Sequence, residues 1–228
     1  MGLLVQLPSV PVDIHYICQR RLPRVIEPII AAGQTMHLLI TLLLAHLLAD
    51  FPLQTNTLAN RKATHGDGVF YHVLIHVLVT ALLLHNSHIY WPLPVGIGIV
   101  HFLIDVYKLW RPAKQNVRSF VLDQCMHVIS LGIAAALALQ AWQPAPRGIL
   151  PDAWLIIMLG GATVPASLVL LWVWTNTLTA TQLNRLALLR WIKPRLLEVE
   201  QQIGLFIIGA IFWQPALRVL ATLVQNIR

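Results

Sequence analysis

MHLLITLLLAHLLAD, residues 36–50, decides how the rest of this chain is read. It is apolar almost throughout, carries no charge before Asp50, and closes on HLLAD at 46–50. The same His-apolar-Leu-apolar-Asp pattern returns as HFLID at 101–105, again near the end of an apolar run. A histidine and an aspartate in such a place are costly in a bilayer unless something uses them. Two copies of the pattern therefore pose one question about fold and another about chemistry.

The fold follows from composition and from where the charges fall. Of 228 residues, 57% are apolar and 11% charged, with a mean hydropathy of +0.69, whereas a soluble domain carries about 25% charged residues. The charges collect between apolar stretches of roughly membrane-spanning length. The net charge of +7 sits mainly in short segments flanking those stretches, where lysine and arginine orient membrane helices. No basic stripe interleaved with aromatics occurs, so nucleic acid is not an expected partner; the lipid bilayer is. Cys18 and Cys125 are the sole cysteines, too few for a disulfide framework or a CxxC metal motif.

Six spans are expected, at about 36–51, 69–86, 93–110, 119–141, 153–175 and 203–225, with Pro52 stopping the first and Pro112 following the third. Pro215 and Arg218 suggest a kink or an early end in the sixth. The fold class is thus an all-α polytopic transmembrane helical bundle, whose first four spans form a duplicated-hairpin core. Residues 1–35, broken by Pro8, Pro11, Pro23 and Pro28 and by Arg20, Arg21 and Arg24, read as a leader or surface arm, or as a start placed too early, with Met36 the alternative initiator. Residues 36–141 form the membrane core, and 142–228 hold two further spans joined by a basic amphipathic segment with Arg185, Arg190, Lys193 and Arg195. The eight tryptophans fall mostly near span ends, as interfacial anchors do. Loops after the odd-numbered spans carry ten lysines and arginines against six on the other side, leader included. This places those loops in the cytoplasm and the termini in the periplasm of a cell inner membrane.

The chemistry follows from four pairs. Spans one to four carry His46 and Asp50, His72 and His76, His101 and Asp105, and Asp123 and His127, each pair spaced i, i+4 and hence on one helix face. In spans one and three the pair lies toward the C-terminal end, and in spans two and four toward the N-terminal end. Antiparallel neighbours bring those ends to one membrane face, the cytoplasmic one by the charge count. Offsets of 55 positions from His46 to His101 and 51 from His76 to His127 suggest two matched halves.

Imidazole and carboxylate without thiolate suit one or two divalent ions, zinc, iron or manganese. The expected ligands are His46, Asp50, His72, His76, His101, Asp105, Asp123 and His127, with Asp50, Asp105 and His76 as the catalytic candidates. Gln54, Lys62, Lys108 and Gln124 are expected to support the ligands or hold an anion. Two other readings stand beside this one: a structural His/Asp hydrogen-bond network and an ion or proton pathway. His15, His37, His65, His85 and His88 lie away from the four pairs and are read as ordinary loop or packing histidines.

At AHLLADFPLQTN (45–56), Lys62, HVLIHVL (72–78), HFLIDVYK (101–108) and LDQCMH (122–127), the chain resembles a bacterial membrane family known as domain of unknown function 3307. The resemblance spans about residues 36–130. It implies the membrane fold and the shared positions and supplies no activity. The leading functional expectation is a metal-dependent hydrolase in which the ion activates water and an uncoordinated carboxylate or histidine acts as base. Lys108, Arg111, Lys114 and Arg118 border the site and would favour an anionic lipid or phosphate-bearing substrate. The competing classes are a proton or metal-ion carrier and a non-catalytic membrane scaffold.

Overall fold

The structure, a computed structural model, describes residues 14–110 and 116–227, with side chains described over 31–110 and 116–213. The leader arginines, Arg111, Lys114, Pro215 and Arg218 lie outside the residues with described side chains. Helices run over α1 (Ile14–Asp50), α2 (Asn56–Thr64), α3 (Gly66–Leu83), α4 (Pro92–Trp110), α5 (Val117–Ala141), α6 (Asp152–Thr177), α7 (Ala180–Arg185), α8 (Ala187–Ile192) and α9 (Leu196–Ile227), with a 3-10 turn at Lys193–Arg195. The described residues contain no strand. Six segments are long and apolar enough to cross a membrane: Ala31–Asp50, Gly66–Leu83, Pro92–Trp110, Val117–Ala141, Asp152–Thr177 and Ala187–Trp213. The chain is an all-α polytopic bundle.

Packing divides the helices into a ring and a flank. α1 lies against α3 and α5, and α4 lies against α3 and α5, which closes a ring of four with α1 and α4 diagonal to one another. α6 packs on α1 and on α9. The joint between ring and flank is dry: Leu44, Leu48, Leu155, Met158, Ile207 and Ile211 are buried together. Large apolar side chains such as Ile99, Leu103, Ile129, Ile133, Ile157 and Phe206 point outward. Outward-facing apolar side chains on a helix whose backbone bonds are all internal are what a lipid-facing surface requires.

Local sequence explains the boundaries. Asn116 caps α5 by accepting the Ser119 N–H while Ser119 Oγ receives the Asn116 N–H, a reciprocal capping box. Thr55 accepts the Leu58 N–H at the start of α2. Gly204 is needed where α9 crosses the end of α1, because a Cβ there would fall on Pro52.

Three features differ from the sequence reading. α1 starts at Ile14 and runs without a break into the first span; proline removes one backbone bond from a helix but permits helical dihedrals. The loop after the first span contains α2, a polar helix whose short length hides its periodicity. The basic segment after the fifth span is α7, α8 and a 3-10 turn, not one surface helix, and α8 and the turn already belong to the sixth apolar segment, which starts at Ala187 and not near 203. Leu186, the residue joining the first two pieces, leaves the helical region of backbone space.

Candidate metal centre

All four helices of the ring aim polar side chains into its axis at one end. α1 supplies His46 and Asp50, α3 His72 and His76, α4 His101 and Asp105, and α5 Asp123, Gln124 and His127. The i, i+4 spacing puts each pair on one face, and burial in the ring fixes which face it is. His46, His72, His76, His101, Asp105 and His127 are all buried.

Asp50 is the hub. His72 and His76 both direct Nε2 at its Oδ1, at 3.0 and 2.8 Å, and His101 Nε2 stands 3.7 Å from the same oxygen. Its other oxygen accepts the Gln124 side-chain N–H at 3.0 Å and lies 3.6 Å from His46 Nε2. Gln124 Oε1 in turn lies 3.2 Å from His46 Nε2, so one amide orients both Asp50 and His46. His72 and His101 face each other Nε2 to Nε2 at 3.2 Å.

Asp105 forms a second focus. Its carboxylate is 0% exposed, and Lys62 reaches in from α2 to place Nζ 2.8 Å from Oδ2. His101 Nε2 is 3.3 Å from Oδ2, and His127 Nε2 is 3.8 Å from Oδ1. Lys108, at the end of α4, pairs with Asp123 at 2.6 Å. Gly68 lets α2 approach this closely, since a Cβ there would fall on the backbone of Arg61 and Lys62. Neither ring nitrogen of His127 makes a hydrogen bond, nor does Nδ1 of His72, although all three atoms are buried. His127 instead stacks on His101, ring centroids 4.0 Å apart. Buried polar atoms without partners are uncommon in native proteins, and each calls for a physical explanation.

Three overlapping sets of side chains could hold a metal ion, each offering one ligand atom per residue with all atoms within 4.8 Å. They are His46, Asp50, His76 and His101; His72, His101 and Asp105; and Asp105, Asp123 and His127. The first and third share no residue. His46, His76, His101 and His127 also line a small pocket with Thr80 and Ser130, with space for roughly one water molecule. Toward the opposite membrane face the ring closes above that pocket with Leu38, Leu42, Leu84, Leu93, Ile97 and Leu131.

The model of a protein family of unknown function, DUF3307, matches residues 38–155. The chain belongs to that family. The matched region takes in the whole ring from Leu38 onward, every residue of the polar layer, and the start of α6. No curated protein matches the chain, and no solved structure does. The family gives the polar layer a home without giving it a reaction, so the chemistry must be argued from the side chains.

The structure gathers His46, Asp50, His72, His76, His101, Asp105, Asp123 and His127 in one layer and brings Lys62, Lys108 and Gln124 against them. Gln54 sits in the turn after α1, where its backbone N–H bonds to the Phe51 carbonyl, and takes no part in these contacts. Arg118 is exposed at the start of α5. His37, read from the sequence as a packing histidine, is buried at the far end of the ring, and the sequence did not show that it packs against Asp152. Its partner is 115 positions away, and no spacing rule reaches that far. Glu200, which the sequence reading left between the fifth and sixth spans without a role, is a buried residue of α9.

Proposed function

We propose that this protein is a multi-pass membrane enzyme, a metal-dependent hydrolase whose ion is held by His46, Asp50, His76 and His101. The observation that carries this reading is the coincidence of two features in one place. Four buried donors from α1, α3 and α4 lie within ligand-bridging reach of one another, and three of them line a pocket with room for a water. A site built only to brace helices has no need of that pocket, whereas a catalytic metal site keeps one position open.

A divalent ion bound there would lower the pKa of a water toward neutrality and polarise the scissile group. The remaining steps belong to the chain's own residues. Gln124 holds Asp50 and His46 in register, the supporting contact that metal ligands depend on. His127 faces the same pocket with an uncommitted nitrogen and is suited to take a proton. Asp105, expected from the sequence as a catalytic carboxylate, is instead engaged by Lys62 at 2.8 Å. Zinc, iron and manganese all tolerate this nitrogen and oxygen set.

The polar layer lies at the end of the ring that carries Lys62, Lys108 and Arg118, so the substrate class we favour is an anionic lipid or another phosphate-bearing molecule. By the distribution of lysine and arginine, that end faces the cytoplasm of an inner membrane and the termini face the periplasm. A carrier would need polar groups continuing beyond the pocket, and the leucine and isoleucine closure of the ring argues against that path.

Metal analysis of the protein purified in detergent tests this directly. Wild type is expected to hold about one zinc, iron or manganese per chain, and His76→Ala none. Chelated and metal-restored wild type, assayed for phosphate or headgroup release from a panel of anionic phospholipids, is expected to lose and regain hydrolysis. A folded, metal-free wild type that takes up no divalent ion would leave the hydrogen-bond scaffold as the better account.

A further inference from the structure

Asp105, Asp123 and His127 share no residue with the proposed metal ligands, yet they too offer ligand atoms within 4.8 Å of one another. They differ from the first set in charge balance. Among the described residues Asp50 has no lysine or arginine in contact, only imidazoles and the Gln124 amide. Asp105 and Asp123 each have an ammonium group against them, Lys62 at 2.8 Å and Lys108 at 2.6 Å. The third member, His127, is buried with both ring nitrogens unpartnered. Two carboxylates neutralised by lysine, beside an imidazole left without a donor or acceptor, make a cation place whose charge is already supplied.

We propose that Asp105, Asp123 and His127 form a second divalent-cation site that the ammonium groups of Lys62 and Lys108 keep closed, holding the centre to one ion. The inference rests on the metal reading above and adds the stoichiometry and its cause. A fully buried carboxylate without a counter-charge is strongly unfavourable, so Asp105 must keep either Lys62 or a metal ion. Both cannot sit on Asp105 without placing two positive groups side by side. Lys62 comes from α2, outside the ring, and its side chain is 17% exposed; Lys108 is half exposed. Each therefore has solvent to withdraw into when a competing cation arrives. The closure also has a consequence for the proposed reaction: it leaves His127 uncoordinated beside the water pocket.

Metal titration followed by desalting and elemental analysis, with zinc and manganese as the probes, tests this on the full chain in detergent. Wild type is expected to retain one equivalent, Lys62→Met/Lys108→Met two, and the triple variant with Asp123→Asn one again. The double variant exposes Asp105 to the cost of an unpaired charge, so its melting temperature should rise more on metal addition than that of wild type. Lys108→Met alone, at a half-exposed position, guards against a folding failure; its second equivalent should bind at least tenfold more tightly than any second equivalent in wild type. Two tight equivalents in wild type, or one in both lysine variants, overturns the closure while leaving the first site intact. No metal in any form overturns both readings.

Discussion

The two ends of the four-helix ring each bury a histidine against an aspartate, and they leave it in different states. At one end His37 is saturated. Its Nδ1–H donates to Asp152 Oδ1 at 2.5 Å, and its Nε2 accepts the Gly148 N–H at 3.1 Å. Those bonds pin the connection between α5 and α6 to α1, beside the backbone pairing of Leu84 with Gly148. At the other end five imidazoles crowd three carboxylates, and His127 keeps both nitrogens without a hydrogen bond. A histidine whose two nitrogens are spent is a brace. One that is buried with nitrogens to spare is available to a ligand, and the cost of leaving it so is the physical sign that something else belongs there.

The contrast can be broken most forcefully at Asp50. Replacing it with Asn removes the shared carboxylate from four imidazoles, and metal affinity should fall by more than about 100-fold, beyond the range for loss of a supporting contact; the check is metal retained after desalting. Gln124→Leu should act on the same end more gently, lowering metal affinity by about 10–100-fold because Asp50 and His46 lose their common orienting amide. Competition with a chromophoric chelator would resolve that loss.

At the opposite end His37→Ala should leave metal content unchanged and cost about 0.5–1.5 kcal/mol of stability for each hydrogen bond lost, since Asp152 and Gly148 remain accessible to water. Loss of metal in that variant would mean that the two ends are coupled and that saturation does not separate their roles. A comparable effect is expected at the flank. Gly204→Ala would press a methyl onto Pro52 and destabilise the α9 contact by about 1–3 kcal/mol, again without moving metal content. Thermal unfolding in detergent reads both stabilities.

Much of the polar layer was legible in the sequence because its signals are local. Four i, i+4 pairs, each at a fixed depth in an apolar run, needed only antiparallel order to be placed together, and the structure gathers all eight side chains. The spans were legible for the same reason, since hydropathy over roughly twenty residues is a property of one segment. What stayed hidden depends on contacts between distant segments or on short elements. The partner of His37 is set by how α6 docks on α1. α2 is nine residues long and polar, so it carries no apolar periodicity, yet it delivers Lys62 to Asp105. Lysine at 62 was read as a supporting residue, while the buried ion pair that gives it meaning required coordinates.

The most direct measurement is X-ray absorption at the metal edge of the purified, metal-loaded protein. The account predicts a shell of nitrogen and oxygen donors at about 2.0–2.2 Å, with multiple-scattering features of three imidazoles that diminish in His76→Ala and persist in His37→Ala. A spectrum without imidazole scattering, or one unchanged by His76→Ala, would contradict it.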